Sequence, residues 1–224
     1  MPLWVLGAPP SPAMLKRTFD LLISAVALLL LSPMMLAIAI MIRREDGGAV
    51  FYRGLRVGRF GKPFRIFKFR TMVPGAEKRG ASSTAADDPR ITRIGRFLRR
   101  YKLDELPQLT NVLRGEMSLV GPRPEVRRYV EMYTEEEKII LTVRPGITDW
   151  ATLWNSDEGA VLAGSPDPDR AYEEKIRPTK VRLQLEYVRN QSLLVDLKIL
   201  LQTAAALVTK KPPAALGSAD PRRC

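Results

Sequence analysis

Histidine is absent from this chain of 224 residues, and cysteine occurs once, as Cys224. Without imidazole there is no Ser-His or Cys-His nucleophile pair and no histidine-ligated zinc. Polar catalysis therefore has to run on carboxylates, lysine, arginine, tyrosine, hydroxyls or backbone amides. One cysteine makes neither an internal disulfide nor a CxxC centre, which fits a reducing compartment. Negative charge is also scarce: 24 Asp plus Glu face 36 Lys plus Arg, a net charge of +12. The expected partner is an anion, whether nucleic acid, a phospholipid surface or a phosphorylated substrate.

What is present is segregated. From Leu21 to Ile42 the chain carries no charge over about 22 residues, which is membrane length. A straight helix of that size reaches about 33 Å. Ser32-Pro33 lies at its middle, where proline lacks an N–H and clashes with the Leu29 carbonyl, so a break or sharp kink is expected. Lys16 and Arg17 precede the run and Arg43 and Arg44 follow it. Basic flanks at both ends suit two cytoplasmic ends, hence a re-entrant helix-break-helix. A plain spanning helix and a cleaved signal peptide ending near Ala37-Ile38-Ala39 are the competing readings. The expected organisation is a disordered leader over 1–14, a re-entrant membrane helix over 15–46, a catalytic domain over 47–209 and a tail over 210–224.

Two β-rich runs, Val50 to Arg56 and Pro63 to Arg70, flank a turn containing Gly58 and Gly61 and read as a hairpin. Pro74 to Arg90 reads as an exposed loop. The segment RITRIGRFLRRYK places Ile91, Ile94, Phe97, Leu98 and Tyr101 at helical spacing among five arginines, a basic amphipathic helix suited to a bilayer interface or to a solvated face. Asn155 to Asp169 is rich in turn residues. A helix from Tyr172 should break at Arg177-Pro178, and Ser192 should cap a last apolar helix.

Chemistry concentrates in Lys102-Leu103-Asp104-Glu105-Leu106-Pro107-Gln108. Proline is tolerated in a helix's first turn, so Asp104 and Glu105 are expected at a helix N-terminus, with Gly115 as the stop. Such a position attracts phosphate and keeps a carboxylate ionised. Two adjacent carboxylates could also share Mg²⁺. An ordinary N-cap is the plainer reading. Arg123, held between Pro122 and Pro124, Arg144 before Pro145-Gly146, and Lys68 in the run KFRTM are further candidates for phosphate binding.

In order and wording, the stretches KRTFDLLISAVALLLLSPMMLAIAI, KFRTM, LDELPQL, MSLVGPRP and VRPGIT resemble the bacterial sugar transferase family, the monotopic polyprenyl-phosphate phosphoglycosyl transferases, here in its minimal form. The likeness covers about Lys16 to Trp150 and resumes from Tyr187 to Leu200. It implies an α+β monotopic membrane protein with a re-entrant helix broken at Ser32-Pro33, interfacial amphipathic helices and a small β-hairpin, on the cytoplasmic face of the bacterial inner membrane. It implies transfer of a sugar phosphate from a UDP-sugar to undecaprenyl phosphate with release of UMP, the first membrane step of surface glycan assembly. Asp104 falls at the family's nucleophile and Glu105 beside it, as a Mg²⁺ ligand or proton handler. Arg99, Arg123 and Arg144 fall where the family carries basic residues near the nucleotide or phosphates. The implied partners are the sugar nucleotide, the polyprenyl phosphate and an anionic phospholipid membrane, with no nucleic acid, and a homodimer is compatible with them. The chain departs from the family's common pattern at Asp149, where glycine is usual, through Asn155-Ser156, where an arginine is missing, and at Gln184, where an acidic residue is common. Two other readings stand beside this one: a glycosyltransferase that releases UDP, and a non-enzymatic basic protein binding anionic lipid or nucleic acid.

Overall fold

The computed structural model describes residues 12–76 and 82–209. Residues 1–11 of the expected leader, the expected tail 210–224 and Cys224 lie outside the described residues. Helix α1 spans Pro12–Asp46, so the last part of the expected leader is helical. Helical structure also continues through Ser32-Pro33, so the expected break is not an interruption of the helical hydrogen-bonded run. The physical reason is local. Pro33 cannot donate to the Leu29 carbonyl, and the Ser32 hydroxyl donates to that same oxygen at 2.8 Å, supplying the missing partner.

α1 leads into a hairpin, β1 (Phe51–Val57) against β2 (Pro63–Phe69), antiparallel from Phe51↔Phe69 to Val57↔Pro63. Beyond it α2 (Arg93–Arg100) is capped by Thr92, whose side chain accepts from Gly95 N–H. Leu98 of α2 packs with Phe69 and with Ile38 and Ile42 of α1, while Phe97 and Tyr101 form an outward ring pair at 5.0 Å. Gly95 is required here: a Cβ would lie 2.0 Å from the Thr71 carbonyl oxygen, so only glycine lets α2 lie against the end of β2.

Helix α3 (Gln108–Leu113) is pinned to the hairpin by the fully buried Asn111. Its Oδ1 accepts from Phe67 N–H at 2.9 Å and its Nδ2 donates to the Arg65 carbonyl at 2.9 Å, as a neighbouring strand would. A parallel pair follows, β3 (Ser118–Val120) with β4 (Gly146–Thr148), Val120 opposite Thr148. Between them lies the short α4 (Arg127–Val130). The backbones of Gly121 and Gly146 cross so closely that a Cβ on Gly146 would sit 2.1 Å from the Gly121 nitrogen.

The remainder is helical: α5 (Trp150–Trp154), α6 (Glu158–Leu162), α7 (Pro168–Ala171), α8 (Arg177–Asn190) and α9 (Leu193–Thr209). Pro178 sits in the first turn of α8, and a π-helical turn over Tyr172–Ile176 joins it to α7, so the expected break is a change of helical pitch. Ser192 caps α9 as expected, accepting from Val195 N–H at 3.3 Å. The segment after Pro74 is less exposed than its composition suggests. Ala76, Ser83 and Ala85 are buried, because Ser82 and Ser83 donate their N–H groups to the Asp169 carboxylate and Ser83 Oγ meets Tyr129 Oη at 2.7 Å.

Both ends of α1 are tied to this same body. At the N-terminal end, Lys16 pairs with Asp196 of α9 and donates to the Val120 carbonyl at 3.1 Å, and Asp20 accepts from Leu119 N–H at 3.2 Å. At the C-terminal end Asp46 pairs with Arg70 just after β2. Between these anchors, Leu22, Leu29, Leu30 and Leu36 stand exposed.

Candidate active site

Asp104 and Glu105 lie one step earlier than expected, in a 3₁₀ turn over Leu103–Glu105, with Pro107 at the N-cap of α3 rather than inside its first turn. Lys102 enters this turn with a left-handed backbone, φ 56°, which reverses the chain after α2. Leu103 and Leu106, on either side of the dyad, pack into the cluster formed by Phe69, Leu98 and Ile42. The two carboxylates are thereby held under the end of the hairpin.

Their environments differ. Glu105 is gripped by two cations: Lys68 Nζ donates to Oε1 at 2.7 Å, and Arg123 reaches both oxygens, with Nη1 3.0 Å from Oε2 and Nη2 on Oε1. Burial would raise the Glu105 pKa, but the charges of Arg123 and Lys68 outweigh it and hold the carboxyl well below its ordinary 4.5. Asp104 is only 6% exposed and, among the described residues, has one ion-pair contact, 3.9 Å from Lys68 Nζ. Its pKa is raised above 3.8, by burial first, with Lys68 acting in the opposite sense. Lys68 is itself pulled down by burial against the pull of Glu105. On Arg123 burial is more than offset by Glu105, and its pKa rises. The dyad is therefore one neutralised, fixed carboxylate beside one desolvated carboxylate that accepts no hydrogen bond among the described residues.

Arg99 donates from Nε to Thr71 Oγ1 at 2.9 Å, and its charge is felt by Asp104, Asp88 and Glu105. Arg144 is elsewhere. It donates to the Gly115 carbonyl at 3.0 Å, while Arg17 donates to Val112 and Leu113 carbonyls at 2.8 and 3.2 Å. These two arginines satisfy carbonyls at the C-terminal end of α3, opposite the dyad. The structure thus gathers Asp104, Glu105, Lys68, Arg123 and Arg99, and leaves Arg144 and the Ser32-Pro33 step outside that group.

Sequence reading missed the support of the Arg123 loop. Helix α8 presents Lys180, Gln184 and Tyr187, all buried, toward residues 120–125. Lys180 Nζ pairs with Glu125 at 2.6 Å, Gln184 Nε2 lies 3.5 Å from the Arg123 carbonyl, and Tyr187 Oη donates to the Val120 carbonyl at 3.1 Å. Their i, i+4, i+7 spacing was the available signal, a polar stripe where an amphipathic helix would bury apolar groups. Asp149 and Gln184 also meet: Gln184 Nε2 donates to Asp149 Oδ2 at 3.2 Å.

The donor set fits Mg²⁺ only as an ion that takes few protein ligands. Among the described residues there is no group of three or more metal-ligating side chains. Lys68 and Arg123 occupy Glu105, which leaves Asp104 as the open hard oxygen donor. One or two carboxylates completed by substrate phosphates is a usual magnesium environment.

The bacterial sugar transferase family pattern matches residues 11–210. This chain belongs to that family. It is 40% identical over 213 residues to the exopolysaccharide production protein ExoY of Rhizobium meliloti, covering 88% of this chain and 87% of that protein. It is 38% identical to the UDP-N-acetylgalactosamine-undecaprenyl-phosphate N-acetylgalactosaminephosphotransferase of Aeromonas hydrophila, over 89% of this chain but 45% of that protein. With the UDP-glucose:undecaprenyl-phosphate glucose-1-phosphate transferase of Escherichia coli the identity is 37%, over 85% of this chain and 39% of the other. The chain thus spans less than half of those two phosphotransferases and most of ExoY.

Proposed function

We propose that this chain transfers a sugar phosphate from a UDP-sugar to a polyprenyl phosphate, with Asp104 as the nucleophile. The observation that carries this reading is the unequal dyad: Glu105 is locked by Lys68 and Arg123, while Asp104 is buried next to cations with its oxygens uncommitted. A desolvated carboxylate of this kind is a usable nucleophile without histidine. An Asp104 oxygen attacks the phosphorus that bears the sugar, the bridging P–O bond breaks, and UMP leaves with the bonding pair. An oxygen of the polyprenyl phosphate then attacks the same phosphorus and displaces the carboxylate, yielding the lipid diphosphosugar with no net proton change. Arg99, Lys68 and Arg123 supply positive charge beside the reacting phosphates. Mg²⁺ would be held by Asp104 and completed by substrate oxygens, since Lys68 and Arg123 take both oxygens of Glu105, and it would offset diphosphate charge.

For the membrane, the supporting observation is that both ends of α1 contact one body while the leucines between them face outward. That arrangement suits a segment entering and leaving the same leaflet, with the catalytic domain on the cytoplasmic face of the inner membrane.

The test uses detergent-purified protein, Mg²⁺, undecaprenyl phosphate and a panel of UDP-sugars, with UMP and UDP measured separately. Lipid-dependent UMP release that is lost in Asp104→Asn is the expected result. UDP release would replace this mechanism with glycosyl transfer. For topology, single cysteines near residues 14 and 46 in a Cys224→Ser background should both be labelled from the cytoplasmic side; labelling from opposite sides would exclude re-entry.

A further inference from the structure

The fork of Arg123 on Glu105 depends on how the Arg123 peptide is held: Pro122 and Pro124 have no N–H groups, and the Pro122 carbonyl is fixed by Gly146 N–H at 3.0 Å. The Arg123 N–H is the one backbone donor in that triplet, and it points to Asp149 Oδ2 at 3.3 Å. The Arg123 carbonyl lies 3.5 Å from Gln184 Nε2, which also donates to Asp149 Oδ2 at 3.2 Å. Because a carboxylate only accepts, the Gln184 amide must turn its NH₂ toward Asp149. The placement follows from the sheet: Thr148 pairs with Val120, so the residue after β4 lies beside the loop that leaves β3.

Asp149 does more than cap α5. Capping occupies Oδ1, which accepts from Thr152 N–H at 2.7 Å and Thr152 Oγ1 at 2.8 Å, and asparagine would cap equally well. The second oxygen is completely buried and is directed at Arg123, whose charge it also feels. A buried carboxylate is costly unless it is paired, and this oxygen accepts from the Arg123 N–H and the Gln184 amide.

We propose that Asp149, oriented by Gln184, is a positioning residue for Arg123: it fixes the peptide so that the guanidinium stays on Glu105 and Asp104 is left free to react. The inference rests on the phosphosugar transfer proposed above. It gives one purpose to Asp149 Oδ2 and the Gln184 amide, which together keep one carboxylate beside Arg123.

Two substitutions separate positioning from capping. Asp149→Asn keeps an oxygen for Thr152 and turns an NH₂ toward the Arg123 N–H, donor against donor. Asp149→Gly removes the carboxylate while leaving a tolerated N-cap. Adding Gln184→Glu to Asp149→Gly returns a single carboxylate from the other side of the same contact. UMP release and thermal unfolding are measured for all four proteins in detergent. The single variants at Asp149 should lose about tenfold or more in kcat, the scale of a hydrogen bond to a charged group, while remaining folded with a Tm lowered by a few degrees and an unchanged KM for the lipid. The Asp149→Gly, Gln184→Glu protein should recover most of that kcat. Wild-type kcat in Asp149→Asn, or a normally folded double variant no more active than Asp149→Gly, would overturn the inference while leaving the transfer reading intact. No UMP from the wild type with any donor would overturn the transfer reading, and the role of Asp149 with it.

Discussion

Neutralising each carboxylate of the dyad in turn should move stability in opposite directions. In Glu105→Gln the side chain keeps its shape but loses the charge that binds Lys68 and Arg123, all three being less than a quarter exposed. Two buried cations are left facing one another, and breaking a buried pair costs about 3 kcal/mol or more. For a chain of this size that lowers Tm by about 6–12 °C. Asp104→Asn removes a carboxylate whose burial raises its pKa, so the charged form opposes folding at neutral pH and its loss should leave Tm equal or higher. The pH dependence separates them further. Glu105 is depressed, so its contribution is fully present above its ordinary 4.5 and is lost only as pH falls through its much lower folded value. Asp104 is raised, so its cost disappears as pH falls through its folded value toward 3.8, and the gap between wild type and Asp104→Asn should close there. Thermal unfolding of the three proteins in one detergent from neutral to acid pH gives the order directly. Equal losses in both variants, or an unchanged Tm in Glu105→Gln, would refute the division of the dyad into a fixed and a free carboxylate.

Arg123→Lys replaces a two-pronged fork with a point charge and should reduce UMP release by about tenfold or more, read as kcat in the nucleotide assay. Gly95→Ala forces a Cβ against the Thr71 carbonyl and should destabilise by about 2–3 kcal/mol, read as a lower Tm. Ser32→Ala leaves the Leu29 carbonyl without the donor that replaces Pro33, and should cost about 1 kcal/mol by the same measurement, with the Ser32→Thr hydroxyl retaining most of it.

Local signals carried much of this molecule. Alternating β-branched and aromatic residues around Gly58 and Gly61 are enough to specify the hairpin, because the period of two leaves few other solutions. The uncharged run after Leu21 specifies a long apolar helix by solvation alone. The Ser192 cap and the Gly115 stop are equally local, set by one side-chain oxygen and by a backbone at φ 81°. Asp104-Glu105 next to Pro107 marked the chemistry because two carboxylates at the opening of a helix are an unusual concentration of charge.

What sequence alone left open is which carboxylate is free. Lys68 and Arg123 lie 37 and 18 residues from Glu105 along the chain, and no periodicity brings them to it rather than to Asp104. The packing of Leu103 and Leu106 under the hairpin decides that, by turning Glu105 toward β2 and the Arg123 loop. Arg144 illustrates the reverse case: it looks like a phosphate ligand in sequence, yet the carbonyls at the end of α3 claim it, since a helix terminus needs donors wherever the fold supplies them. The continuity of α1 through Pro33 was open too, because the hydroxyl that repairs it could equally have faced outward. Composition and local pattern determined the elements and the kind of chemistry. The pairings among buried charges came from tertiary structure, because those energies depend on distance and desolvation, which the linear order does not encode.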